Sequence, residues 1–281
     1  MPTRSAPKWW TDAASDVFLD SITLKKPPED REAFPFDTPL MRTVENLSFR
    51  SPVTFLVGEN GTGKSLLLEA IAAGLGWPAA GGAEIDDDTT LDPARALGER
   101  LRFSFRRRSK NGFFFRAEDF FNYAKRMKQT AEDLEATARD YEERFSGTAR
   151  MLAVGSVMGQ RQAIVSRYGE NLDANSHGEA FLHFFRERLH PDGMHLIDEP
   201  EAALSPQRQY ALLFLMHDVV ASGAQFIVAT HSPVLMAYPG ATILDFDEHP
   251  ARETAYQDLE HVTFLRSFLE APERYLRELD K

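Results

Sequence analysis

Gly58 to Ser65, reading GENGTGKS, gathers the residue types that hold a triphosphate: two glycines separated by four residues, then lysine, then a hydroxyl. With glycine at about 7% of ordinary residues, a chance match in a chain this long arises roughly once in a hundred. Gly58, Gly61 and Gly63 open backbone conformations closed to other residues, so successive N–H groups can converge on phosphate oxygens at a helix N-terminus. The nucleotide contact runs through Gly58, Glu59, Asn60, Gly61, Thr62, Gly63, Lys64, Ser65 and Leu66. Within it Lys64 reaches the β- and γ-phosphates, and the Ser65 hydroxyl ligates the magnesium ion bridging them.

A second set of reactive residues follows the apolar run Met194 to Ile197, where Asp198 and Glu199 stand side by side. A strand that lies beside the one feeding the loop would bring Asp198 to the magnesium ion. Glu199, one residue on and pointing elsewhere by strand alternation, would act as general base on the attacking water. Taken alone, the same run reads as a buried strand ending in an acidic turn. His231 follows a further apolar run, Gln225 to Thr230, and an imidazole at the end of a parallel strand can bond a γ-phosphate or its water.

The elements that must position these groups are legible from periodicity. Val53 to Val57 is a continuous β-branched and apolar run, a buried strand, and Leu66 to Ala73 continues the loop as a helix. Val17 to Leu24 reads as a strand; Gly74, Gly76 and Pro78 stop the first helix, and Ala79 to Asp92 reads as an acidic surface loop. Phe34 and Phe36 lie upstream of the loop, where a ring could stack on a base or simply pack. Leu101 to Phe105 alternates, and Asn111-Gly112 before three phenylalanines predicts a hairpin whose tip gathers Arg106, Arg107, Arg108 and Lys110. That basic tip is either a nucleic-acid or partner contact or a solvated turn. Glu118 to Phe145 predicts one long helix packed on one side, ended by Gly147, with no return helix of equal length; Met151 to Asn175 reads as irregular. Ile243 to Phe246 gives another strand and Pro272 to Leu279 a closing amphipathic helix.

The chain has 281 residues, a formal net charge of -11 and no cysteine. Such a balance disfavours binding to nucleic acid or anionic membrane through bulk charge, though a local basic face remains open. The absence of cysteine excludes disulfides and thiolate metal sites and fits a reducing, cytoplasmic setting. No apolar run is long enough to span a membrane, and the first residues lack the core of a signal peptide.

With those motifs in view, the chain resembles the soluble, non-transporter ATPases of the ABC class, akin to SMC, RecF and OLD-type heads, and most of all the short bacterial ATPases of the AAA_21-like group. The resemblance rests on GENGTGKS, GFFFRAEDFFN, NSHGEAF, HLIDEPEAALSPQRQ and FIVATHSPVL occurring in that order. It implies an α/β P-loop fold with a mixed, largely parallel central sheet flanked by helices, an antiparallel β portion and a helical lobe. It also implies a single domain, 1–281, whose nucleotide-binding lobe is formed by 1–116 and 191–281 and whose helical lobe, 117–190, carries the signature motif. Ser176 and Gly178, with the helix Glu179 to Leu189 behind them, would then reach the γ-phosphate of ATP held by a second copy of the chain. Ser176 and Glu179 also have the spacing of a capping box. Ala203 to Pro206 would be the D-loop at that interface, and His231 the switch histidine.

The implied cofactors are ATP and Mg2+, and the implied state is an ATP-dependent head-to-tail homodimer. NSHGE stands where transporter subunits carry LSGGQ, which disfavours a transmembrane partner. No glutamine lies at Phe115 to Asp119, where the family's glutamine loop maps, and Glu118 is the metal-site substitute there. Hydrolysis coupled to an unknown partner or DNA process is the first functional reading. A nucleotide-dependent binding module for DNA repair or an anti-phage partner is the second, and a transporter ATP-binding subunit the third.

Overall fold

Val53, Thr54, Phe55, Leu56 and Val57 are all buried, which requires a strand covered on both faces, and they form β3 (Val53–Val57). The computed structural model describes residues 17–25, 33–77, 91–109, 111–168 and 177–277, with the side chains of 118–119, 121–124, 166–168 and 177–180 excepted. β3 belongs to a six-stranded sheet. The strands run in the order β5 (Gly112–Arg116), β6 (Met194–Asp198), β7 (Gln225–Ala229), β3, β8 (Thr242–Asp245), β9 (Arg252–Glu253). The first five are parallel and β9 closes the edge antiparallel to β8. A smaller antiparallel sheet, in the order β2 (Leu47–Ser48), β1 (Leu19–Leu24), β4 (Leu101–Phe105), stands apart from it. Gln225 joins the two: its carboxamide oxygen accepts from the Phe18 and Leu19 amides at 2.9 and 2.8 Å, and its nitrogen donates to Leu19 O at 3.0 Å.

Alternation along the strands divides the core in two. Phe55, Phe113, Phe115, Ile197, Phe226 and Val228 face one layer, which holds α6 (His177–Arg188) and α7 (Pro206–Ala221). Leu56, Phe114, Leu196, Ile227 and Ala229 face the other, which holds α2 (Lys64–Leu75), α3 (Asp92–Arg100) and β1. In the first layer the Phe115 ring lies 4.9 Å from Phe185 and 5.0 Å from Phe181, edge-on to the latter. Phe120, at the start of α4 (Ala117–Arg144), joins them at 6.2 Å from Phe115. This aromatic cluster fastens the helical segment to the strand beside β6.

Three expectations are corrected. Leu101–Phe105 and Gly112–Arg116 do not form a hairpin; they enter different sheets. Gly112 answers to close approach instead of a turn: a Cβ there would meet Trp77 Cη2 at 2.4 Å and Met194 O at 2.8 Å. Of the segment read as irregular, Met151 to Asn175, residues 151–168 are helical within α5 (Gly147–Tyr168), which packs back on α4 as the return arm of a helical hairpin, and 169–175 lie outside the described residues. Ala131, Ala138 and Val157 are buried between the arms, and Arg161 reaches Glu135 at 3.3 Å. Gly155 and Gly159 of α5 face open space, where a Cβ would meet nothing within 4 Å. Finally, β6 does not lie beside β3, because β7 runs between them. The chain closes with α9 (Glu260–Glu270), which the sequence reading passed over, and α10 (Pro272–Leu276). Among the described residues, no helix is long and apolar enough to cross a membrane.

At the end of β5, Arg116 stands in register with Asp198 and pairs with Glu69 at 2.9 Å, the two side chains only 12% and 17% exposed. Removing one partner of a largely desolvated pair costs charge-assisted bonds that water replaces poorly. Arg116→Met is therefore expected to destabilise the chain by about 1–3 kcal/mol in urea unfolding.

Candidate functional site

Parallel strands place their C-terminal ends on one edge of the sheet, and here three of those ends meet. β3 runs into the glycine loop, β6 ends at Asp198, and β7 ends one residue before Thr230 and His231. Because β7 separates the other two, His231 stands between the loop and the carboxylates. The sequence reading had put Asp198 on the strand next to the loop; the pairing places the histidine strand there.

Gly58, Gly61 and Gly63 have φ of 136°, 85° and 95°, the left-handed conformations anticipated for a phosphate loop. Gly63 is the N-cap of α2, and a Cβ on it would meet the Leu40 side chain at 3.0 Å. Lys64 is 4% exposed and folds along the loop, donating to the carbonyls of Gly58 and Glu59 at 2.7 Å each. Burial pulls its ammonium below the ordinary lysine range, against the opposing charges of Asp247, Glu199, Asp198 and Glu201. Asp247, which the sequence reading did not single out, accepts from the Glu59 amide at 2.7 Å and anchors the loop from the β8 side.

Ser65 Oγ donates to Asp198 Oδ1 at 3.1 Å. Burial raises the Asp198 carboxyl to about 7, opposed by the Ser65 bond and the Arg116 charge. A hydroxyl and a desolvated carboxylate held together are hard oxygen donors suited to magnesium. Glu199 is not aimed by strand alternation, since it lies beyond β6 in a left-handed conformation with φ 47° and ψ 52°. That turn, held by the Glu199 amide on Ala229 O at 2.9 Å, brings its carboxylate to 3.9 Å from His231 Nε2. Both side chains are part-exposed, at 44% and 42%, and with Glu59 and Asn60 they line an open cleft of ≈ 500 Å³. Burial and the Lys64 charge keep the His231 pKa below the usual histidine value. The imidazole is therefore neutral at pH 7.

Lys64, Ser65, Asp198, Glu199 and His231 are thus brought together, with Glu59, Asn60, Thr62 and Leu66 on the same loop and helix. Ser176 lies outside the described residues, Gly178 is described only as backbone within α6, and the Glu118 side chain is likewise outside. Glu201 was missed. It sits two residues past Glu199 and bonds Thr230 and the His231 amide, and the only signal for it was a third carboxylate in DEPE.

Of the basic residues read as a tip, Arg106 and Arg107 are engaged within the chain, Arg108 is exposed, and Lys110 lies outside the described residues. Arg106 pairs with Asp20 at 2.7 Å; Arg107 pairs with Asp192 at 2.6 Å, donates to Gly223 O and lies over the Phe18 ring at 4.1 Å. Of the two upstream phenylalanines, Phe36 packs against the core under Arg100, whereas Phe34 is 59% exposed.

A family model described as "AAA domain" matches residues 40–162, and one described as "AAA domain, putative AbiEii toxin, Type IV TA system" matches residues 180–237. Among curated proteins, none matches the sequence. Similar solved structures include a nucleotide-free ATP-binding cassette from an ABC transporter, at 14% identity over 92% of this chain and 98% of that one, with a TM-score of 0.40. The SMC head domain from Pyrococcus furiosus is 12% identical over 94% and 100%, also at 0.40. A bacterial ABC transporter cassette solved as a dimer is 19% identical over 76% and 90%, at 0.38.

Proposed function

We propose that this chain, whose two matched segments are AAA-type, is a P-loop ATPase of the ABC and SMC kind that hydrolyses ATP to ADP and phosphate. The observation that carries the reading is the convergence of Lys64, Ser65, Asp198, Glu199 and His231 on one sheet edge, from three separate strand ends.

Lys64, which lies along the loop on the Gly58 and Glu59 carbonyls, would hold the β- and γ-phosphates. Ser65 and Asp198 hold Mg2+, which when bound offsets the charge of the phosphates. Glu199 takes the proton of the attacking water as its oxygen bonds to the γ-phosphorus and the bond to the ADP oxygen breaks. The neutral imidazole of His231 orients that water or the γ-phosphate. In the same reading Ser176 and Gly178 of a second copy close the site in trans, so that ATP joins two chains head to tail. Glu118 supplies a further metal contact from α4.

Phosphate release from MgATP tests this. The unaltered protein is expected to turn over, and Lys64→Ala to bind nucleotide about a hundredfold more weakly through loss of charge-assisted bonds. Equal binding by both would remove the loop from the site.

A second reading, a nucleotide-timed binding module, is favoured by the turn of the α4–α5 hairpin. Phe145, Met151 and Leu152 are exposed there, at 43%, 68% and 66%. A protein partner suits that exposed apolar surface better than DNA does.

A further inference from the structure

Glu201 lies beside the site but does not face it. Its two carboxylate oxygens are both occupied: Oε2 accepts from Thr230 Oγ1 at 2.8 Å, and Oε1 accepts from the His231 N–H. Thr230 and His231 are the first residues past β7, so this carboxylate grips the chain where the sheet lets go of it.

The grip continues on both sides. Thr230 Oγ1 accepts from the Ser232 amide at 3.0 Å, and Ser232 Oγ donates to Gln209 Oε1 at 2.6 Å. Ser232 Oγ also caps α8 (Pro233–Met236), accepting from the amides of Val234 and Leu235 at 3.2 and 3.1 Å. Gln209, on α7, donates to Leu204 O at 2.9 Å, and the Leu204 amide donates to Glu201 O at 3.0 Å. The bonds therefore form a closed ring, from Glu201 through Thr230, Ser232, Gln209 and Leu204 back to Glu201. Thr230, Ser232 and Gln209 are all at least nine-tenths buried, so each link is made in a medium where leaving it open is costly.

The turn that starts the ring is the one that aims Glu199. Glu199 O accepts from the Ala202 amide at 3.1 Å within the same short helical turn, Pro200–Ala203. The Glu201 side chain thus adds a second tie, beside the backbone bond from the Glu199 amide to Ala229 O, between the segment carrying the candidate base and the segment carrying the candidate histidine.

Resting on the ATPase reading above, we propose that Glu201 is a positioning residue, fixing the His231 backbone against the Glu199 turn so that the two side chains face each other across the cleft. A displacement of about 1 Å between such groups can lower a rate by about a hundredfold without touching the substrate. Glutamine at this position keeps one accepting oxygen for the His231 amide, and its nitrogen can donate to Thr230 Oγ1, so the ring can re-form. Alanine cannot make either bond.

The test compares unaltered protein, Glu201→Ala, Glu201→Gln and Thr230→Val in MgATP turnover, binding of a fluorescent ATP analogue and melting temperature. Glu201→Ala is expected to lower kcat by about 10- to 100-fold while nucleotide affinity stays within about threefold, and Glu201→Gln to recover most of the loss. Thr230→Val, which leaves the amide bond to His231, should fall between them. A kcat loss matched by equal loss of affinity, or no rescue by glutamine, overturns the proposal.

The His231 ring resonance, assigned from its disappearance in His231→Ala, gives a readout independent of turnover. Its titration is lowered first by burial and then by the Lys64 charge, against Glu199 and Asp247, and His261 lies within electrostatic reach of the ring. Releasing the segment in Glu201→Ala should move the titration toward the ordinary histidine value. If the unaltered chain does not hydrolyse ATP but the ring still moves, the ATPase reading fails and the positioning role stands. A ring that does not move overturns the role.

Discussion

Replacing Glu199 by glutamine will leave nucleotide affinity within a few-fold of the unaltered chain and lower phosphate release by about 10²–10⁴-fold. The exchange keeps the size of the side chain, and Glu199 is part-exposed at the cleft, so little packing is at stake. What changes is basicity. A neutral amide cannot take the proton of the attacking water, whereas the hold of Lys64 on the phosphates and of Ser65 and Asp198 on magnesium is untouched. If the ATP-bound state is a pair of chains, the same variant will accumulate as a dimer with ATP and revert to monomer when ATP is withdrawn, as read by light scattering. Unchanged turnover would assign the base elsewhere, and slow turnover without dimers would remove the trans contact from the reading.

The second large effect is on stability. Asp198→Asn should melt about 5–10 °C higher than the unaltered protein at pH 8 without nucleotide, and lose at least about a hundredfold in turnover. Burial raises the Asp198 carboxyl from 3.8 to about 7 in the folded chain. A raised folded pKa means that the folded state binds the extra proton, so the favourable contribution is complete below the unfolded value and lost as pH rises toward 7. By pH 8 the ionised, desolvated carboxylate opposes folding by about 4 kcal/mol, which asparagine removes while still accepting from Ser65. At pH 4 the two proteins should melt together. Scanning calorimetry at both pH values decides it, and equal midpoints at pH 8 would mean that the carboxylate is already compensated.

The loop, its strand and its helix were legible because they are local. A continuous apolar run and fixed glycine spacing specify β3 and the start of α2 with no knowledge of neighbours. Asp198, Glu199 and His231 were legible as ends of apolar runs, but their mutual placement was not, since the lateral order of parallel strands is set by crossovers far apart in sequence. Hence β7, not β6, borders β3. Asn111-Gly112 misled for a different reason: Gly112 is needed because Trp77 and Met194 come close, a demand that local turn rules do not contain. The return helix was obscured by Gly147, Gly155 and Gly159 and by weak apolar periodicity; packing on α4 stabilises what propensity does not. Glu201 was invisible as a function because its partners, Thr230 and His231, lie about thirty residues on, joined to it only by the sheet.

Those helix glycines carry a consequence for how the chain comes apart. An interior glycine weakens a helix by about 1 kcal/mol relative to alanine, and neither Gly155 nor Gly159 is required by a close neighbour. The three strands that carry the candidate site, β3, β6 and β7, are by contrast buried at every residue. Local opening is therefore less costly in α5 than at those strands, and α5 can exchange its amides while they stay closed. The candidate site edge can thus remain assembled while α5 loosens and re-forms.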